Sequence, residues 1–404
     1  MRRIMAPQLA RARRDADGRA SEPVNGGRGR RTASYVLVLL PVALLTLIGF
    51  VMVLSASSVT SYARYGSSFV LFEKQMIWGL VGLALMLVAS RVDYHWWRTL
   101  AYPLLGLTVV LLVVVFHPGL GHTANGSTRW IDFGLIRVQP SEMAKLAVVV
   151  FLGDLLVRKG DRLDEFVHLI VPALFPALAV IAALVMAEPD MGTTMILVVT
   201  GFAVLFVSGA PFRFLATIGG GGLVGAVGLM FSEGYRRDRI LSFRDPGVYS
   251  DTIGYQAVQA RIALGSGGWF GRHLGASAQK WGYLPNSHTD FIYAIIGEEL
   301  GLTGTLSVLA LFLMLGYAGV RVARRAPDEF GRYLAVGVTV WLLFQALVNM
   351  GAVVGLLPIT GVPLPLVSSG GSSLLFSLVG AGILLNVARQ DAWSGKRAGA
   401  TGRR

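Results

Sequence analysis

Asp290 closes the run Tyr283-Leu284-Pro285-Asn286-Ser287-His288-Thr289-Asp290 and stands just before the apolar residues Phe291-Ile292-Tyr293. At the edge of a low-dielectric segment a carboxylate has its pKa raised and becomes a stronger base. His288, two residues away, adds a second titratable group. The same residues also suit a structural role. Ser287 as N-cap with an acid three residues on is a capping box, and acids near a helix start are favoured by the helix dipole. The local pattern leaves both roles open.

Three other clusters carry charge or exposed backbone. Gly126-Ser127-Thr128-Arg129-Trp130-Ile131-Asp132 is followed by Val138-Gln139-Pro140-Ser141-Glu142, with Lys145 a turn later. Arg129 suits a phosphate, and Trp130 suits a sugar face or a membrane interface. Ser141 suits a helix cap. An intramembrane Lys145 needs a partner, which Glu142 offers at helical spacing. Glu188-Pro189-Asp190-Met191-Gly192-Thr193 interrupts two apolar runs. So short a charged break either lines a polar cavity at a broken helix or is an ordinary outer turn. Residues 357–373 hold Pro358, Pro363 and Pro365, which prevent a regular helix. Ser368-Ser369-Gly370-Gly371 then opens the last apolar segment, either as an anion site at a helix N-terminus or as a rigid re-entrant turn.

The elements that must position these clusters are membrane helices. The chain of 404 residues is 54% hydrophobic and 15% charged, against about 25% charged in a soluble domain. Apolar segments fall at 35–55, 72–90, 99–116, 141–157, 167–187, 191–209, 214–231, 291–320, 333–356 and 369–388. They predict an all-α polytopic membrane protein of about ten helices, a membrane domain over 35–388. The 291–320 segment is expected to start as a partly exposed helix, because it carries Glu298 and Glu299. Residues 1–34 are arginine-rich, too long for the basic region of a signal peptide, and are expected to be a disordered cytoplasmic tail. Residues 389–404 form a second basic tail.

Basic residues in the short loops, among them Arg91, Arg98, Arg158, Lys159, Arg213, Arg324 and Arg332, place both termini in the cytoplasm. The outer loops at 188–190 and 357–368 have none. The exception is the long outer loop at 232–290, which holds Arg236, Arg237, Arg239 and Lys280 together with Trp269 and Trp281. Within it, Tyr255 to Leu264 is expected to form a short amphipathic helix at the outer membrane surface. A basic, aromatic outer loop suits an anionic lipid-linked substrate, or anchoring among the headgroups of membrane lipids. The net charge of +13 is thus a topology signal and not a nucleic-acid footprint. With no cysteine, disulfides and thiolate metal sites are excluded. No Walker A, HExxH, GxSxG or dinucleotide fingerprint occurs.

Taken together, the four clusters resemble the SEDS (shape, elongation, division, sporulation) family in order and spacing, over about residues 35–390. His288-Thr289-Asp290-Phe291, the pair Arg129-Trp130 and Pro189 through Thr193 are similar to its motifs. Ala278-Gln279-Lys280 and Ile296-Gly297-Glu298-Glu299 are more similar to its division branch than to its elongation branch. The chain departs from common members at Asn286, Thr360 and Ser369. The resemblance implies a ten-helix fold that polymerises lipid II into glycan strands at the outer face of the cytoplasmic membrane, at the division septum, with Asp290 as the essential acid. It also implies a class B penicillin-binding protein and other divisome membrane proteins as partners.

For that chemistry Asp290 would be the base that takes a proton from the acceptor's 4-hydroxyl, and direct displacement of the lipid pyrophosphate would invert the anomeric centre. Arg129, Arg236, Arg237, Arg239 and Lys280 are candidate pyrophosphate clamps. Trp130, Asp190, His288, Ser368 and Ser369 are further candidates for substrate binding. A divalent cation, Mg or Mn, would serve on the pyrophosphate, although the sequence does not require one. The rival expectations are a lipid II flippase, which needs acids along a path to the inner face, and a non-catalytic division scaffold.

Overall fold

The computed structural model describes residues 26–124, 127–132, 137–160, 178–217 and 254–401, with positions 134, 219–221 and 243 between them. Helices α1 (Gly26–Tyr65), α2 (Val70–Arg91) and α3 (Trp96–Val114) lead into a small sheet of β1 (Gly121–Ala124), β2 (Ser127–Asp132) and β3 (Arg137–Val138). Then come α4 (Pro140–Arg158), α5 (Val180–Ala187), α6 (Met191–Val207) and α7 (Tyr255–Gly267). A 3-10 turn at Gln279–Trp281 precedes α8 (Ile292–Arg324), α9 (Glu329–Val353) and α10 (Gly371–Thr401). Among the described residues, 6 helices are long and apolar enough to cross a membrane: α1 from Ala33, α2, α3, α8, α9 and α10 as far as Gln390. Helix α6 is a shorter apolar one. Most of the expected segment 214–231, the start of 167–187 and the loop residues 232–253, apart from 243, lie outside the described residues. Helix α1 begins at Gly26 and α10 runs on to Thr401, each extending into a stretch expected as a tail; a helix nucleated in an apolar span propagates readily into its flanks.

Helix α4 is the axis of the bundle. Residues 140–156 are buried without exception, the mark of a helix surrounded by protein on all sides. Lipid tails give no hydrophobic drive between helices, so close contact depends on small residues. A Cβ at Gly337 of α9 would stand 2.6 Å from Val149 of α4, and one at Gly82 of α2 would stand 2.7 Å from Leu378 of α10.

Two features differ from a purely helical chain of plain spans. The link between α3 and α4 is an antiparallel sheet, with His122 opposite Trp130 and Asp132 opposite Arg137. The β-formers Thr128, Trp130 and Ile131 account for it, and the Thr123 and Thr128 hydroxyls meet at 2.7 Å across the strands. The second feature is in α8, where Gly301 (φ 70°, ψ −163°) separates a half-helix over 292–300 from the long helix that follows. A Cβ at Gly301 would strike the backbone of Trp269 and Gly271, so glycine is required for space as well as for φ.

The half-helix folds back on the long one. Tyr293 Oη donates to the Thr305 carbonyl at 3.2 Å, and Gly297 lies against Thr305. A straight helix would hold these pairs about 18 and 12 Å apart. All of 292–299 is buried, which overturns the expected exposed start. Helix α7 forms at Tyr255 as expected. Its small face of Ala260, Ala263 and Gly267 is buried, and Gly267 abuts Gly297, so α7 is docked on the half-helix instead of lying alone at the surface.

Candidate active site

The segment carrying Asp290 is a hook of turns rather than a helix start. Asn286 is left-handed (φ 57°), and its carbonyl accepts from Thr289 N at 3.1 Å and Phe291 N at 3.3 Å. Helix α8 begins only at Ile292, with Phe291 as N-cap and no side-chain cap hydrogen bond. The capping box from Ser287 to Asp290 is therefore not formed, and Asp290 lies ahead of the helix.

The hook is held from the far side by the proline-rich segment 357–370. Ser369 N donates to the His288 carbonyl at 2.9 Å, and Ser368 Oγ donates to the Thr289 carbonyl at 2.7 Å. Asn349 Nδ2 of α9 donates at 2.8 Å to the carbonyls of both Asp290 and Val362. Three consecutive carbonyls are thus fixed. The Asp290 side chain faces a small pocket whose lining includes Phe291, Ile359, Thr360 and Gly361. A Cβ at Gly361 would stand 3.7 Å from Asp290 Oδ2. His288 is half-buried, and its Nδ1 has no hydrogen-bond partner. Burial first, and Arg64 second, lower its pKa to about 4, so the imidazole beside Asp290 is neutral at pH 7.

The other clusters converge on the same place. Arg129, on β2, donates to the Glu188 carbonyl at 3.1 Å and the Pro189 carbonyl at 2.5 Å, and stands 3.7 Å from Asp190 Oδ2. Asp190 caps α6, accepting from Thr193 N at 3.1 Å and Thr193 Oγ1 at 3.0 Å. Gly192, the second residue of α6, is pressed against Thr360 and Val362; a side chain there would push the segment covering Asp290. Contact therefore runs from Arg129 through the α5–α6 turn and the 360–362 segment to Asp290.

A scan against family models matches the cell cycle protein family of FtsW, RodA and SpoVE over residues 35–392. The chain belongs to this family. It is 41% identical to the "Probable peptidoglycan glycosyltransferase FtsW" of Mycobacterium tuberculosis, covering 95% of this chain and 78% of that protein. Its fold is similar to a chain from a structure titled "Structural coordination of polymerization and crosslinking by a peptidoglycan synthase complex", with TM-score 0.72, 29% identity, and 88% and 97% of the two chains covered. The Thermus thermophilus rod shape determining protein RodA matches with TM-score 0.64 at 29% identity, over 87% of this chain and 96% of that one. As a member of a family with these folds, and with its apolar helices, the protein is a multi-pass membrane protein.

Within this family member, several side chains expected at the substrate have other commitments. Arg129 is tied to the α5–α6 turn, and Asp190, 2% exposed, is a helix cap. The Ser368 hydroxyl accepts from Leu364 N at 2.8 Å as well as donating. The amides of Ser369 and Gly370 go to the His288 carbonyl and to Gln75 Oε1. Those amides are not available to an anion, so the proline-rich segment is a rigid turn, the alternative its prolines had left open. Lys280, expected as a pyrophosphate clamp, is 6% exposed, pairs with Glu299 at 3.5 Å and donates to the Gly275 carbonyl, so its ammonium is committed within the protein. Trp130 is half-exposed on β2. Arg236, Arg237 and Arg239 lie outside the described residues. Ser141 does not cap α4, whose N-cap is Gln139 with Pro140 in the first turn.

Lys145 and Glu142 form a buried pair at 2.7 Å. Lys145 also donates to Gln345 Oε1 at 2.7 Å, and Gln345 holds the Pro363 carbonyl at 3.0 Å, so this pair supports the segment over Asp290. Among the described residues, no group of three or more histidine and acidic side chains is arranged to hold a metal ion. Glu188 belongs to the charged break read from the sequence but was not among the expected substrate-binding residues. It is 1% exposed, and neither carboxylate oxygen has a hydrogen-bond partner. Burial, then Asp190, push its pKa up to about 9 against the pull of Arg129. The signal was an acid placed directly before the proline of a short break between apolar runs.

Proposed function

We propose that the protein is a peptidoglycan glycosyltransferase that polymerises lipid II, with Asp290 as its general base. The observation that carries this reading is the hook itself: the backbone carbonyls of residues 288–290 are all bound from outside, while the Asp290 side chain borders a pocket. A carboxylate whose backbone is fixed on three successive carbonyls keeps a set position at the pocket, which is what a base requires. Its proton partner is the acceptor's 4-hydroxyl. As Asp290 takes that proton, the hydroxyl oxygen bonds to the donor's anomeric carbon. The carbon–oxygen bond to the pyrophosphate breaks, and the lipid pyrophosphate leaves with the electron pair, inverting the centre. His288, neutral at pH 7, places no positive charge beside Asp290. Positive charge on the leaving group is assigned to the outer-loop arginines Arg236, Arg237 and Arg239.

The family relatives support this activity, since one is named for it and another comes from a synthase complex that couples polymerisation to crosslinking. A class B penicillin-binding protein is accordingly proposed as partner, with the cytoplasmic membrane at the division septum as location and both termini inside. A flippase would draw on acids toward the inner half of the bundle. Asp154, a buried acid there among the described residues, is bound by Arg98 at 3.0 Å and Arg158 at 2.6 Å, which favours the polymerase. The test is polymerisation of labelled lipid II by the purified protein, alone and with the partner. Transport of lipid II without any polymer under both conditions would refute the reading.

A further inference from the structure

Asp290 stands just ahead of the half-helix over 292–300, and Glu298 and Glu299 stand at its far end, beside the pivot at Gly301. Two adjacent carboxylates at 1% and 0% exposure are costly to bury unless they are fully bonded. Here they are. Glu298 accepts from Ser277 Oγ at 2.5 Å, Ala278 N at 2.9 Å and Gln279 N at 3.4 Å, with Arg272 at 3.6 Å. Glu299 accepts from Ser277 N at 3.3 Å, and its two oxygens receive Ser55 Oγ of α1 at 2.7 and 2.8 Å. Lys280 Nζ lies 3.5 Å from Glu299 and donates to the Gly275 carbonyl at 2.6 Å and to Ser55 Oγ at 3.3 Å. Backbone bonds complete the knot: Arg272 N to the Glu298 carbonyl, Leu302 N to the Gly268 carbonyl and Thr303 N to the Trp269 carbonyl.

We infer that Glu298 and Glu299, with Lys280 and Ser55, are positioning residues: they lock the outer-loop segment 272–281 and helix α1 onto the half-helix, and so set where the Asp290 carboxylate stands. This rests on Asp290 being the base. The half-helix is a lever about 13 Å long, so a turn of about 5° at the clasp moves its far end by about 1 Å. A misplacement of about 1 Å can cost roughly 100-fold in rate. Serine 55 is the informative member. It comes from a helix more than two hundred residues away in sequence and borders neither the Asp290 pocket nor the α5–α6 turn.

The test compares kcat, KM for lipid II and Tm in the full-length protein for Ser55→Ala, Glu299→Gln, Lys280→Met and the double variant Glu299→Gln/Lys280→Met, with Asp290→Asn as control. Glu299→Gln is expected to lose about 100-fold in kcat with KM unchanged. Ser55→Ala, which leaves the ion pair in place, should lose several-fold in kcat and lower Tm less than Glu299→Gln does. The double variant removes both charges, so its Tm should recover while its kcat stays low, a separation that a merely stabilising clasp would not produce. If Glu299→Gln fails to fold, Ser55→Ala and the double variant decide. Wild-type kcat in both overturns the inference, provided the Asp290→Asn control is dead. Normal polymerisation by Asp290→Asn overturns the base assignment, and the inference with it.

Discussion

Opposite ends of α9 are joined to their neighbours by sequences of similar type and opposite construction. At its start, Asp93-Tyr94-His95 meets Asp328 through side chains. His95 Nδ1 lies 2.6 Å from Asp93 Oδ1, His95 Nε2 lies 2.7 Å from Asp328 Oδ2, and Tyr94 Oη donates to the same oxygen at 2.9 Å. Near its other end, His288-Thr289-Asp290 is held through the backbone, by Ser369 N, Ser368 Oγ and Asn349 Nδ2. Burial lowers the pKa of His95, but its two aspartate bonds outweigh this and raise it. His288 shifts the other way. Charged side chains that pair with one another do structural work and are not available for chemistry. Where the backbone carries the joint, a carboxylate is placed at a pocket by bonds that its own side chain does not have to make.

Replacing Asp290 by Asn breaks the Asp290 end where it matters most. Lipid II polymerisation is expected to fall about 10²–10⁴-fold. Because the joint is made by backbone carbonyls that Asn retains, the variant is expected to fold, with a loss of stability far smaller than its loss of rate. Rate and Tm read on one preparation check both halves, and a variant keeping more than about a tenth of the rate removes Asp290 as base.

Between the ends, the Glu142–Lys145 pair follows the side-chain rule in its strongest form. Glu142→Gln leaves a buried ammonium without its counter-charge and should cost about 3–5 kcal/mol of stability, most of it recovered in Glu142→Gln/Lys145→Met. A double-mutant cycle on unfolding in detergent measures the coupling; additive losses would show the pair to be incidental.

The two histidines supply opposite pH signs. His288, with its pKa lowered to about 4 from an unfolded value of about 6.5, contributes stability that is complete above the unfolded value and is lost as pH falls from there toward 4. The full loss is about 3 kcal/mol, and His288→Gln should flatten that acid limb. His95, with its pKa raised, contributes stability that is complete below the unfolded value and fades as pH rises through the folded one. It is 46% exposed, so the effect is screened and smaller, visible as an alkaline decline in Tm that His95→Gln removes. Identical pH slopes in the two variants would erase the distinction between the ends.

Much of the fold was legible because apolar spans announce themselves by length, and α2, α3, α8, α9 and α10 fall where their segments predict. The Glu142–Lys145 pair was readable from i,i+3 spacing. Lys280 looked available because a lysine in a basic, aromatic loop shows no partner in sequence. Its partner Glu299 is nineteen residues on, and the turns of 282–291 with the half-helix that follows bring them together. The capping box at Ser287 was locally sound and did not form, since hydrogen bonds from residues 349 and 368–369 stabilise the competing hook. Arg129 looked like a free cation because nothing in its strand shows that the carbonyls of Glu188 and Pro189 lie opposite it.

The sequence alone determined that this is a membrane bundle and which family it resembles, because hydropathy and motif order are written locally along the chain. Tertiary structure decided which charges remain available to a substrate. In a low-dielectric interior every buried charge must find a partner, and whether Arg129, Lys280, Asp190 or Glu298 finds one depends on residues that meet only when the helices pack.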